Sequence, residues 1–202
     1  MLLKRHALSL VCAPFLLVFV VLPVRGQSTH SFNSGMNCYG VWRLPDTGQT
    51  TSYTATFGED HDYVPAATQP MYTVYGTSPN RVTVDNVTGL MWLSSHDDAG
   101  LWAYYALEDA LAQCEGLDYA GYTDWRLPNV RELLSIVDYS AAVAPRINTT
   151  AFFGTDSMSY WSSTTVASDT TKAWSVDFSN GNIVRNFKSG ALAIRCVRGG
   201  LL

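Results

Sequence analysis

Gly121-Tyr122-Thr123-Asp124-Trp125-Arg126-Leu127-Pro128-Asn129-Val130-Arg131-Glu132 is the stretch that organises this chain of 202 residues. Pro128 disfavours a helical residue before it, so the chain arrives extended. Asn129 is a strong N-cap, and Glu132, three residues on, completes a capping box. Leu133, Leu134, Ile136 and Val137 then supply the apolar face of a helix that starts here. The tetrapeptide Trp-Arg-Leu-Pro occurs once more, at Trp42–Pro45, where Asp46-Thr47-Gly48-Gln49 follows with no helix signal. The two contexts share nothing else, so the chain is not a tandem of similar domains; the second copy is helix punctuation.

Upstream, Ala103, Leu107, Ala110, Leu111 and Cys114 recur at helical spacing. Asp97 or Asp98 is placed to cap that helix, and Gly116 follows its end. Before it, Arg81-Val82-Thr83-Val84 alternates, Asp85-Asn86 turns, and Thr88-Gly89-Leu90-Met91-Trp92 starts a second run, which predicts a hairpin. After residue 156 the period changes to two. Tyr160–Thr164 reads as a strand, and Trp174, Val176 and Phe178 alternate with Ser175 and Asp177 in the next. Ser179-Asn180-Gly181-Asn182 is a hairpin turn, Ile183–Phe187 returns, and Leu192–Val197 makes a last strand. Residues 27–79, rich in Thr, Ser, Gly, Tyr and Pro, read as an irregular extension with short strands. The expected fold is α+β, two helices packed on antiparallel strands.

Residues 1–26 have a basic head (Lys4, Arg5), an apolar Leu8–Val24 run and small or apolar residues at Val24-Arg25-Gly26, the layout of a secretory signal peptide cleaved after Gly26. The alternative is an uncleaved anchor, since about 17 apolar residues just reach spanning length; a membrane partner is expected only in that case. The whole chain carries 13 basic and 17 acidic residues. Without the leader's three basic residues the net charge is −7, which argues against nucleic acid as a partner. The charge is uneven: residues 27–155 sum to −9 and residues 156–202 to +2. Of the four cysteines, Cys38, Cys114 and Cys196 lie beyond the leader. An odd count in an exported chain leaves one thiol free or paired between chains, and without C-x-x-C spacing a zinc site has little support.

Chemistry has few footholds. Asp124, Trp125 and Arg126 could be read as a base and an anion clamp. The structural reading is preferred: Asp124 and Arg126 satisfy polar groups at a helix start, Trp125 and Leu127 enter the core, and Asn129 with Glu132 caps the helix. His30, His61 and His96 show no ligand spacing, and the serines of Tyr160–Thr164 lack a Gly-x-Ser-x-Gly elbow. Glu59-Asp60-His61-Asp62 could offer oxygens to calcium, but an acidic surface loop is the simpler account. Asn86-Val87-Thr88 and Asn148-Thr149-Thr150 match glycosylation sequons that arise often by chance.

Taken in order, Thr83–Trp92, a helix ending in Cys114, Gly121–Pro128 with Arg131-Glu132-Leu133-Leu134, Tyr160–Thr164, and Arg195-Cys196-Val197-Arg198 resemble the family built around the C-terminal domain of the Legionella collagen-like adhesin (Lcl C-terminal-like). The resemblance covers about residues 80–200. It implies a C-type-lectin-like fold related in shape to the formylglycine-generating-enzyme superfamily, in mostly bacterial, exported proteins that display loops on a rigid frame. The founding adhesin binds sulfated glycans and trimerises through a collagen-like stalk. This chain departs from it, with no Gly-X-Y repeat and an acidic net charge, so the resemblance does not by itself imply either property. The paired reactive cysteines of the formylglycine-generating relatives are not matched: only Cys196 lies in that part. The histidine set of the iron-dependent relatives is absent, as are the Glu-Pro-Asn and Trp-Asn-Asp motifs of calcium-dependent lectins.

The expected protein is thus an exported, non-enzymatic ligand-binding or adhesion module, located in the periplasm, at the cell surface or outside the cell. It needs no cofactor, and its partner is a glycan or protein. The alternatives are a structural component of an envelope or extracellular assembly and, third, an enzyme. Cys114, ending a buried helix, is expected to pair with Cys196 in the last strand, leaving Cys38 able to join two chains. The ligand surface is expected on the C-terminal strands and loops, at Tyr160, Trp174, Asn182, Arg185, Asn186 and Lys188. Aromatics there offer flat area and short polar side chains offer adaptable hydrogen bonds. Trp174 alternates with Val176 and Phe178, which can equally place it in the core.

Overall fold

The computed structural model describes residues 47–63 and 72–199. The leader, Cys38, His30 and the first Trp-Arg-Leu-Pro copy lie outside them. The architecture is mixed α+β, mostly β. After a one-turn helix α1 (Asp60–Tyr63) come β1 (Tyr72–Tyr75), β2 (Val82–Asp85), β3 (Met91–Leu93), α2 (Leu107–Glu115), α3 (Val130–Leu134), β4 (Ser159–Thr165), β5 (Lys172–Asp177), β6 (Asn182–Phe187) and β7 (Val197–Arg198). They form two antiparallel sheets, ordered β1-β2-β3-β7 and β4-β5-β6.

The predicted hairpin forms as β2–β3. Asp85 closes its turn, accepting from the Val87 amide at 2.8 Å and the Thr88 hydroxyl at 2.7 Å. The β5–β6 turn forms where Asn-Gly was read. The Gly181 amide donates to Asp177 O at 2.7 Å, and Gly181 has φ +81° with the Tyr139 and Val137 side chains against it, so a β-carbon would be strained and crowded.

Three expectations change. The first helix starts at Leu107 instead of near Asp97. Tyr105 is held in a strand bridge with Leu192 by bonds of 2.9 and 3.0 Å, and Ala106 is extended with no side-chain cap. Asp98 pairs with Arg81 at 2.7 Å instead. The last strand is also not a continuous Leu192–Val197 run: Leu192 and Ala193 make isolated bridges, and β7 joins the first sheet beside β3. Finally, the second sheet has no wet face at its centre. Tyr160 and Val176 belong to one buried cluster, with Trp92, Leu133 and Phe178, while their neighbours Trp161 and Ala173 belong to another, with Leu107, Cys114 and Trp125.

The second Trp-Arg-Leu-Pro copy clasps the two sheets together. Arg126 exchanges two 2.9 Å backbone bonds with Val197, beside β7 of the first sheet. Pro128 O accepts from the Ser163 amide at 2.8 Å, on β4 of the second. Trp125 and Leu127 are buried, with the indole N–H of Trp125 donating to Tyr119 O at 3.1 Å. Arg126 forks onto Glu132 at 2.8 and 2.7 Å, and Glu132 also accepts the Asn129 amide at 2.8 Å. Asn129 Oδ1 in turn accepts the amides of Arg131 and Glu132, each at 2.9 Å. Asn129→Ala is therefore expected to lower unfolding free energy by about 1 kcal/mol through the lost cap, read by urea titration. An unchanged midpoint would show that the cap contributes nothing.

Asp124 meets Arg198 at 2.7 and 3.0 Å, with Arg198 stacked over Tyr122 at 3.8 Å. This pair sits at the surface, so Asp124 is a solvated partner and not a buried one. Across the interior, Cys114 at the end of α2 is bonded to Cys196, with Cα atoms 5.5 Å apart.

Candidate functional site

The β5–β6 register sorts the C-terminal residues onto two faces. Directly opposed pairs share a face, which places Lys172 with Phe187, Trp174 with Arg185, and Val176 with Ile183 on one side. Ala173 with Asn186, Ser175 with Val184, and Asp177 with Asn182 lie on the other. Toward β4 both faces run into core. At β6 the first face emerges as a strip: Ile183 is 45% exposed, Phe187 59% exposed, Arg185 is exposed and Trp174 half-buried. The Lys172 ammonium lies 4.6 Å from the Phe187 ring centre, and the Arg185 guanidinium 5.9 Å from that of Trp174. Lys172 is also paired with Asp169 at 3.0 Å, whereas among the described residues Arg185 and Lys188 meet no carboxylate.

Of the residues expected to receive a ligand, Trp174 and Arg185 share this strip. Asn182, Asn186 and Lys188 fall on the opposite face. Asn186 is tied down there, its amide donating to Ser175 Oγ at 2.8 Å. The Lys188 carbonyl accepts the Leu107 amide at 2.9 Å, and its side chain borders a dent of about 440 Å³ beside Ala106, Glu108 and Leu111 of the α2 region. Tyr160 is a correction: it is fully buried, packed edge-on against Phe178 at 5.2 Å, and its hydroxyl accepts the Asp156 amide at 2.8 Å. A strand with core on both faces has no outward position for it. Sequence reasoning did not single out Lys172, Ile183 and Phe187: Ile183 and Phe187 alternate with Val184 and Asn186, but which parity faces out, and that Lys172 lies opposite Phe187, depends on the register.

A second polar constellation lies in the interior. Arg195 is fully buried. One guanidinium nitrogen donates to the carbonyls of Leu93 (2.5 Å) and Ser94 (3.0 Å), and the other to Thr155 Oγ1 at 2.7 Å. Its charge lies 5.3 Å from the Phe152 ring centre and 6.0 Å from that of Tyr160. Burial, opposed by the Tyr160 hydroxyl, lowers its pKa. Nearby His96 is held below its usual value, first by burial and then by Arg195, against the opposite pull of Asp97 and Asp156. The set locks the Leu93–Asp97 and Phe152–Asp156 loops onto the last strand region.

The carboxylates of the acidic loop before β1 accept bonds from neighbouring stretches of chain. Glu59 accepts from the amides of Tyr53 and Thr54 and from the Gln49 side chain, and Asp62 from the amides of Gly58 and Glu59 and the Ser52 hydroxyl. Their oxygens close local turns instead of converging, and among the described residues no cluster of three or more His, Cys, Asp or Glu could hold a metal. No helix among the described residues is long and apolar enough to cross a membrane.

No curated protein matches the chain. The sequence profile of the Lcl C-terminal domain matches residues 81–198, a span that opens on Arg81 before the β2–β3 hairpin and closes on Arg198 of β7. It takes in the Trp125–Pro128 clasp, the disulfide and the exposed hairpin strip, and suggests an adhesin-like extracellular module. By these residues the chain belongs to the Lcl C-terminal domain family.

Proposed function

We propose that this protein is an exported, non-enzymatic binding module on a C-type-lectin-like frame, and that the outer side of the β5–β6 hairpin receives its ligand. The observation that carries this reading is the strip formed by Trp174, Ile183, Arg185 and Phe187. It combines exposed apolar area with a guanidinium that meets no carboxylate among the described residues, on a hairpin whose β5 strand contributes to both buried clusters. Single exposed apolar residues need no explanation, but a contiguous patch edged by charge marks interaction surfaces. Aromatic and arginine side chains supply much of the energy at such surfaces.

Screening the full chain against arrayed glycans and extracts of envelope proteins tests the proposal. For any saturable ligand, Arg185→Ala and Phe187→Ala are expected to weaken binding by at least about 1 kcal/mol each, with melting temperature little changed and with binding that survives chelation of calcium. Normal binding by both variants, alongside abolition by Glu108→Ala on α2, would place the site on the wrong face.

A further inference from the structure

From the same strip, and resting on the reading of the hairpin as the ligand surface, we infer that the outer edge of β6 takes an extended acidic peptide segment as an added strand of the second sheet. β6 ends the order β4-β5-β6. The Lys188 amide donates to Thr171 O at 3.0 Å, and the register runs without a shift from Lys172↔Phe187 to Asp177↔Asn182. Bonded and non-bonded pairs alternate in an antiparallel ladder, so Val184 and Asn186 turn their amides toward β5 while Ile183, Arg185 and Phe187 turn theirs outward. Phe187 O is taken by the Gly190 amide at 2.7 Å. Among the described residues nothing bonds the outward N–H and C=O of Ile183 and Arg185, or the N–H of Phe187.

The opposite edge of this sheet is covered: the Trp161 amide donates to Ala193 O at 2.9 Å and the Ala193 amide to Ser159 O at 3.3 Å. Among the described residues β6 has no such cover, and it holds no proline and no bulge, the devices that blunt an exposed edge. The one device present is charge, and it selects an occupant. Antiparallel pairing with a second copy of β6 centred on Arg185 would set that guanidinium opposite its own equivalent, and like charges across strands are destabilising. A strand with a carboxylate opposite Arg185 and apolar residues opposite Ile183 and Phe187 is complementary in both backbone and side chains. Main-chain bonds supply affinity and alternate side chains supply specificity in this mode of recognition.

The probe is a synthetic heptapeptide with valine, glutamate and valine at its second, fourth and sixth positions and threonine or serine elsewhere; its partner peptide has lysine for glutamate. In the oxidised full chain, the amides of Ile183 and Arg185 are expected to exchange rapidly with solvent while those of Val184 and Asn186 exchange slowly. Saturating glutamate peptide should slow exchange at Ile183 and Arg185 by at least about tenfold, and the lysine peptide should bind at least about tenfold more weakly. Ile183→Pro deletes an outward amide while keeping the Arg185 guanidinium and the β5 ladder bonds, and is expected to weaken the glutamate peptide to a similar degree. If that variant loses the slow exchange of Val184 and Asn186, the two peptides on the unaltered chain still decide. Slow exchange at Ile183 and Arg185 in the free chain, binding without their protection, or no saturable binding overturns strand addition. A glycan or protein ligand that depends on the Arg185 and Phe187 side chains while these amides stay fast overturns strand addition yet leaves the proposed function standing.

Discussion

Replacing both Cys114 and Cys196 by alanine is expected to lower unfolding free energy by about 4.5 kcal/mol, the value the chain-entropy treatment assigns to a closed loop of 82 residues. The reason lies in what the bond joins. Cys114 ends α2, which packs on one face of the second sheet, and Cys196 precedes β7 in the first sheet, where its carbonyl accepts the Leu93 amide at 3.1 Å. The unfolded chain therefore loses a large closure freedom that the folded chain never had. Both cysteines are fully buried, so reductant should act only on opened molecules. A domain typically holds about 5–15 kcal/mol in reserve, and losing this bond removes a large share of it. Urea titration of the double variant against the oxidised chain measures the effect; a loss below about 1 kcal/mol would contradict the entropic account.

Arg195→Ala is expected to cost about 3–5 kcal/mol, the combined effect of buried acceptors left without donors and of the cavity left by a large buried side chain. Truncation strands the carbonyls of Leu93 and Ser94 in a dry interior and opens a void between Phe152 and Tyr160. Arg195→Met should cost less, because filling the space without a charge removes the desolvation penalty along with the hydrogen bonds. Arg195→Lys should not restore the loss, since one ammonium cannot span two carbonyls and the Thr155 hydroxyl. A separate readout follows from the electrostatics. Since Arg195 is the second cause of the depressed His96 value, after burial, His96 in Arg195→Met should titrate at higher pH than in the unaltered chain, by imidazole NMR. A stability change under about 1 kcal/mol for the alanine variant, or an unmoved His96, would mean that the guanidinium is neither an anchor nor a neighbour charge of consequence.

Several features were legible from sequence because their physics is local. The Asn129–Glu132 capping box closes within four residues, the Asp177–Asn182 turn within six, and the Asp85–Thr88 turn within four. Each acts wherever the surrounding chain lies. The α2 start was misread because its competitor is remote: the pairing of Tyr105 with Leu192, 87 positions away by residue number, overrides a continued apolar spacing. The family resemblance, with the Cys114–Cys196 pairing, also rested on sequence, since the order of short motifs is a property of the chain alone.

What tertiary structure decided is which side of each strand meets water. Period-two reasoning assumes one wet face, so Tyr160 and Trp174 looked like members of one ligand surface. The second sheet instead has core on both faces around β4 and β5, which buries Tyr160 and Trp161 alike. Only at β6, where the sheet ends, do alternate residues separate into an exposed strip and a tied-down side, placing Arg185 with Phe187 and separating both from Asn186. The composition, the helix cap, the turns and the motif order were determined by sequence alone. The partition into two sheets, the clasp at Arg126 and Pro128, and the exposed edge of β6 came from long-range pairing, because strand register and sheet position are energies of contacts between distant residues that no local pattern contains.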